Sequence, residues 1–165
     1  LEEKMKGIVA YDSVNGNTRQ VAEAIADEAR KAGHEVETYY LKESIPPAVQ
    51  GDFLFVGSPT RGGKPTKRTM EFLAGLDAGW SGPIFAFDTV GPLSKDPAKR
   101  REWLEQIGRA DRNAASRIAE ACRGRGLRVC PELMHIAVVG MWGPLAPDAL
   151  DMARAFTRRY LERMK

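Results

Sequence analysis

The sequence predicts an α/β domain, a parallel sheet covered on both faces by helices. Three observations carry that prediction. Short apolar runs of strand length recur at Gly7–Tyr11 (GIVAY), Asp52–Gly57 (DFLFVG) and Pro83–Phe87 (PIFAF). Buried parallel strands read as near-continuous runs of this kind. Between them lie stretches whose apolar residues return every three or four positions, the helical period. Alternation of the two patterns is the mark of βαβ units, which build parallel sheets. The chain has 165 residues, the length of one domain at roughly 100–200 residues each, and residues 5–164 are expected to form it. Leu1–Lys4, ahead of Met5, reads as a remnant of expression cloning.

The elements follow in order. Gly7–Tyr11 is the first strand. Asn17–Ala32 is a helix with Val21, Ile25 and Ala29 on one face, and Gly33 is placed to stop it. Glu35–Leu41 alternates weakly, which suits an edge strand, and Pro46-Pro47 breaks the chain after it. Asp52–Gly57 is the clearest buried strand. Thr66–Leu76 is a helix presenting Met70, Leu73 and Leu76. Pro83–Phe87 is the next strand. From Pro97 to Arg125 the spacing of Trp103, Ile107, Ala110, Ala114, Ile118 and Cys122 is helical throughout. Gly108 and Asp111-Arg112-Asn113 are expected to split it, with Asp111 or Asn113 capping the second helix. Leu127–Val139 is a strand region interrupted near Pro131, and Pro147–Met164 is the last helix. Open α/β sheets bind ligands beyond the carboxyl ends of their strands. The loops of interest therefore follow Tyr11, Gly57, Phe87 and Val139.

Composition excludes several classes. The longest uncharged apolar stretch, about Ile136–Trp142, is too short to span a bilayer, so no membrane partner is expected. The start lacks the charged and apolar segments of a secretory signal. Two cysteines, Cys122 and Cys130, make neither a disulfide framework nor a cysteine-rich zinc site. Both are expected to be core thiols in a reducing cytoplasmic setting. His34 and His135 have no second ligand at metal spacing, and each is expected to be structural. The net charge of +3 is too mild to indicate nucleic acid. Its distribution is uneven. Arg61, Lys64, Lys67 and Arg68 share one acid-free window, and Arg117–Arg128 holds four arginines and one glutamate.

The loop Asp12–Thr18 (DSVNGNT) has a single glycine, so it is neither a GxGxxG fingerprint nor a GxxxxGK P-loop. It offers hydroxyls at Ser13 and Thr18, amides at Asn15 and Asn17, and a helix beginning at its end. Free N–H groups and the helix dipole favour an anion there, and Gly16 permits a left-handed turn. A plain capping loop has the same composition. The loop Ser58–Pro65 (SPTRGGKP) has two glycines and two prolines, which shape it and leave its peptide groups open. Asp88–Pro92 (DTVGP) reads as the loop after the fourth strand. A phospho-receiver domain shares this element order, but it needs an aspartate where Gly57-Ser58 stands.

These residues are where a resemblance lies. GIVAY at Gly7–Tyr11 followed by SVNGNT at Ser13–Thr18 resembles the first strand and FMN-phosphate loop of the flavodoxin-like family. FLFVGSPTRGG at Phe53–Gly63, with Met70 and Phe72-Leu73 in the helix after it, is similar to the family's second flavin loop. GMWGPL at Gly140–Leu145 is also similar to a family segment. The resemblance covers about Met5 to Met164. It implies five parallel strands in the order 2-1-3-4-5, with one FMN at their carboxyl ends. It implies that Ser13, Val14, Asn15, Gly16, Asn17 and Thr18 surround the phosphate. Pro59, Thr60, Arg61, Gly62 and Gly63, with Asp88, Thr89, Val90 and Gly91, would flank the isoalloxazine ring.

The chain departs from the family in three respects. Asn15 stands where a hydroxyl residue is usual. Neither Thr60–Lys64 nor Asp88–Pro92 contains an aromatic to lie on the flavin. The charge is basic where the carriers are acidic. Trp142 is on the correct edge to help, although its expected place is against the last helix. The Pro-Thr-Arg-Gly segment is nearer to the family's quinone-reductase relatives. Three functions follow: an FMN electron carrier serving a redox partner protein, an NAD(P)H-dependent FMN reductase acting on quinones, or a binding module that has lost its flavin. In the second, the cluster from Arg61 to Arg68 attracts the nicotinamide cofactor's phosphates or an acidic carrier.

Overall fold

The computed structural model describes residues 3–164. The reading of residues 1–4 as a remnant therefore lies partly outside the described residues. Five strands, β1 (Lys6–Tyr11), β2 (Glu35–Tyr40), β3 (Phe53–Pro59), β4 (Ile84–Val90) and β5 (Met134–Ala137), form one sheet. Its order is β2-β1-β3-β4-β5 and every pairing is parallel. The helices are α1 (Asn17–Lys31), α2 (Lys67–Gly75), α3 (Pro97–Ala110), α4 (Ala114–Gly124) and α5 (Ala149–Arg163).

Alternate strand residues serve two cores. Val9, Phe53, Phe55, Phe85 and Phe87 meet Val21, Ile25 and Ala29 of α1 and Ala153 and Tyr160 of α5. Ile8, Ala10, Leu54, Val56, Ile84 and Ala86 meet Phe72 and Leu73 of α2 and Ile118 and Cys122 of α4. The period-2 pleat sends neighbouring side chains to opposite faces, so strands apolar at every position need both covers. Tyr160 stacks on Phe85 at 4.7 Å and donates its hydroxyl to the Glu132 carbonyl. Gly57 makes room for the Phe87 ring, which a Cβ would overlap.

Three helices start on side-chain caps that accept a first-turn N–H, as orphan helical donors require. Thr66 accepts from Thr69, Asp96 from Lys99, and Asn113 from Ser116. Asn113 is thus the second cap. Asp111 instead ends α3 in the left-handed region at φ 53°. Val129 bridges to Ile84 ahead of β5, so the strand region is interrupted at Pro131 as the proline implied.

Four expectations are corrected. β3 and β4 run further than their apolar runs, through Pro59 and Val90, so Asp88–Val90 is strand and not loop. Cys130 lies outside β5 and is only partly buried, with its sulfur 3.6 Å from Arg163 Nη1. Trp103 is 41% exposed, because α3 lies by the short edge strand β5 and buries little. Trp142 is 73% exposed and does not pack on α5.

Candidate functional site

The carboxyl end of β1 delivers Asp12 and Ser13, both fully buried. The Asp12 carboxylate accepts from the Ser13 N–H at 2.9 Å and from Arg68 Nε at 3.1 Å. Arg68 is therefore engaged, and of its cluster Arg61, Lys64 and Lys67 remain exposed. Ser13 Oγ accepts from the N–H groups of Gly16 and Arg19, at 3.1 and 3.3 Å, and closes the turn. Gly16 has φ 88°, and a Cβ there would meet nothing within 4 Å. Its backbone conformation, not lack of space, is what calls for glycine.

No side chain at the N-cap position closes α1. Among the described residues, the N–H groups of Val14, Asn15, Asn17 and Thr18 have no protein partner. They lie at the positive end of the α1 dipole, the arrangement that binds an anion. The one carboxylate nearby in sequence, Asp12, is turned to Ser13 and Arg68. Thr18 is buried, with its hydroxyl 2.8 Å from that of Thr89.

Beyond β3 the chain makes a tight hairpin. The N–H groups of Arg61 and Lys64 donate to each other's carbonyls at 2.8 and 3.1 Å. Gly62 and Gly63 have φ of 59° and 79°. A two-residue hairpin turn of the primed type requires positive φ at both positions, so the Gly-Gly pair has a backbone reason. The sequence reading placed an open loop here and missed the hairpin.

Asp88 is 0% exposed and faces α4. Its carboxylate accepts from the Ala115 N–H at 3.0 Å and from Thr60 Oγ1 at 3.2 Å, and pairs with His135 Nδ1 at 2.9 Å. Thr60 Oγ1 in turn accepts from the Ala114 N–H at 3.0 Å. Burial pulls the His135 pKa down, but the Asp88 charge and hydrogen bond outweigh it and hold it above 6.5.

A cleft of about 220 Å³ opens over these strand ends. It brings together Asn15, Asn17, Pro59, Thr60, Arg61, Thr89 and Gly91 of the expected site, and adds Pro92, Val138, Met141 and Trp142. Asn17 Nδ2 donates to the Trp142 carbonyl at 3.2 Å, tying the start of α1 to the segment after β5. Met141 is 69% exposed beside Trp142. Ser13 and Thr18 are buried, Gly16 is partly exposed outside the cleft lining, Val14 is exposed, and Gly62 and Gly63 form the hairpin turn. Asp88 and Val90 are buried in β4 and do not line the cleft. The signal for Met141 and Trp142 was the GMWGPL segment, whose large apolar pair sits between glycines. A larger cavity of about 640 Å³ lies at the opposite end of the sheet, lined by Met5, Asp52, Phe85, Arg128 and Arg163. No helix N-terminus among the described residues lines it, so chemistry rather than size selects the smaller cleft. Backbone donors beside a cleft with one aromatic rim suit a ligand with a phosphate and a flat ring.

The model of the flavodoxin domain matches residues 8–134. No curated protein matches the chain. Among solved structures, oxidised flavodoxin 1 from Bacillus cereus is similar with a TM-score of 0.71 at 18% identity, over 97% of this chain and 99% of that one. A flavodoxin from the domain Archaea gives 0.66 at 22% identity, over 96% and 98%. The flavodoxin, WrbA-like protein from Agrobacterium tumefaciens gives 0.64 at 16%, over 98% and 99%. Likeness at these identities speaks to the fold.

Proposed function

The chain belongs to the flavodoxin domain family, and on that footing we propose that residues 5–164 form one FMN-binding domain that passes electrons to and from a redox partner. The observation that carries the reading is the loop from Ser13 to Thr18. Among the described residues, four N–H groups without protein partners, at Val14, Asn15, Asn17 and Thr18, sit at a helix N-terminus with no carboxylate turned toward them. Such a loop holds a terminal phosphate with neutral donors. The ring belongs in the adjoining cleft, between Pro59–Arg61 and Met141–Trp142, with Thr89 and Gly91 at its floor. Trp142 supplies the aromatic face that the hairpin and the end of β4 lack. When bound, FMN supplies the redox chemistry, and the protein's part is to bind it, orient it and set the charge around it.

The exposed Arg61, Lys64 and Lys67 favour a second reading, an NAD(P)H-dependent reductase acting on quinones. A basic rim beside the cleft attracts the phosphates of a nicotinamide cofactor, or an acidic carrier protein. No helix among the described residues is long and apolar enough to cross a membrane, and we place the protein in the cytoplasm. The visible spectrum of the purified protein, followed by anaerobic mixing with NADH or NADPH, tests both readings. Flavin bands that NAD(P)H leaves unchanged support the carrier. Bleaching within a turnover time supports the reductase. A protein that neither carries nor takes up flavin refutes both.

A further inference from the structure

Asp88 is a buried carboxylate with partners in two directions. One oxygen takes Thr60 Oγ1 and the Ala115 N–H, and the other takes His135 Nδ1. Thr60 lines the cleft, and its N–H is held by the Thr89 carbonyl at 2.9 Å. His135 opens on a different space. It lines a cavity of about 450 Å³ between α3, α4 and β5, together with Gly108, Asp111, Ser116, Glu120, Arg123, Pro131 and Leu133. The Nε2 edge of the ring lies against Gly108, where an added Cβ would touch Cδ2 and Nε2 at 3.6 Å. The imidazole thus reaches a cavity on one side and a fully buried carboxylate on the other. That carboxylate is one hydrogen bond from the flavin cleft.

We propose that His135 is a positioning residue of the flavin cleft, holding Thr60 through Asp88 and carrying the protonation state of the α3–α4–β5 cavity into the cleft. The proposal rests on the FMN reading above. Its physics is local. With His135 an imidazolium, the His135–Asp88 pair has no net charge. When Nε2 gives its proton to water in the cavity, Nδ1 still donates to Asp88, but the pair carries one negative charge behind Thr60. A reduced flavin tends to be anionic, so that charge disfavours reduction. Low dielectric around the fully buried Asp88 keeps the effect from being screened as it is at a surface. The other charges facing the ring are Asp111 at the end of α3, and Glu120 and Arg123 on α4. They lie on the cavity side, and it is Asp88 that raises the His135 pKa against the effect of burial. None of them is hydrogen-bonded to Asp88.

The test has two parts. The first uses the protein without flavin. Amide and imidazole NMR signals are followed from pH 5 to 9 in the wild type and in His135→Asn, whose side-chain amide places a donor where Nδ1 was. The Thr60 amide is expected to shift with the same midpoint as the His135 ring, and to stay flat in the variant. A Thr60 amide that ignores the His135 titration overturns the proposal, and this arm needs no variant to fold. The second part loads FMN and measures its midpoint potential over the same range, with dithionite as reductant. Below the His135 midpoint the wild type is expected to favour reduction at least threefold more than the variant. The difference should close above that midpoint. A difference that is constant with pH, or absent, overturns the proposal while leaving FMN binding intact. Failure of FMN to bind at any pH overturns the functional reading and the proposal with it, and the first part then shows whether the coupling exists by itself.

Discussion

Thr18 and Thr89 meet through their hydroxyls, 2.8 Å apart and buried, where α1 begins and β4 reaches its end. The contact ties the start of α1 to the end of β4. Thr18→Val removes one hydroxyl and strands the other, which costs about 1–3 kcal/mol of stability. FMN affinity should fall and riboflavin affinity much less, because the loosened loop carries the phosphate donors. Urea unfolding and paired flavin titrations check this. An equal loss for both flavins would move the phosphate away from this loop.

Gly16 is the turn that leaves the loop's N–H groups outward. Alanine at φ 88° has space but the wrong backbone, a strain of about 1–2 kcal/mol. Gly16→Ala should weaken FMN by roughly tenfold, the equivalent of about 1.4 kcal/mol, and riboflavin much less. Calorimetric titration of both ligands reads the difference.

Trp142 is exposed and its ring makes no aromatic contact among the described residues. Trp142→Ala should leave stability within about 0.5 kcal/mol of wild type. Flavin affinity should fall by about 0.5–1.5 kcal/mol, the scale of one stacked pair, and equally for FMN and riboflavin. Unchanged affinity would remove the tryptophan from the ring site.

Arg61 stands at the cleft, exposed, on the hairpin. A cation there favours a reduced, anionic flavin, by less than about 1 kcal/mol once solvent screens it. Since 30 mV is about 1.4 kcal/mol for a two-electron couple, Arg61→Ala should lower the potential by roughly 5–20 mV at low salt and by nothing at high salt. Spectroelectrochemistry at two ionic strengths decides it.

His135 also gives stability a pH dependence. Its folded pKa is raised above 6.5, since the Asp88 charge and hydrogen bond overcome the opposing effect of burial. The stabilisation is therefore complete below pH 6.5. It is lost as pH rises from there through the folded pKa, because the folded state binds more protons in that window. Unfolding free energies of wild type and His135→Asn should converge with rising pH. Divergence would reverse the sign of the pairing.

The strands and helices were legible because both faces of the sheet are covered, which writes apolar runs and helical periods into the chain. Asn17 was readable as the start of α1, and Asn113 was one of two readable caps. The ends of β3 and β4 were not, because Ser58 and Asp88 are polar residues buried by specific partners, and periodicity does not register a partner. Asp88 looked like a loop residue for the same reason: its hydrogen bonds to Ala115 and Thr60 and its pairing with His135 come from elements distant in sequence. The tryptophan at 142 was visible, but its exposure was not, since an apolar residue near a helix is ordinarily packed on it. The Asp12–Arg68 pair shows how a run of basic residues hides its own division: three side chains face solvent and one neutralises a buried acid.

The central claim is that the loop from Ser13 to Thr18 holds a terminal phosphate and the cleft beside it holds a flavin ring. Titration of the protein with FMN, riboflavin and FAD, followed by flavin fluorescence and visible absorbance, tests it most directly. Saturable one-to-one uptake is expected, with FMN bound at least tenfold more tightly than riboflavin or FAD. Equal affinity for FMN and riboflavin, or no uptake of any flavin, would contradict it.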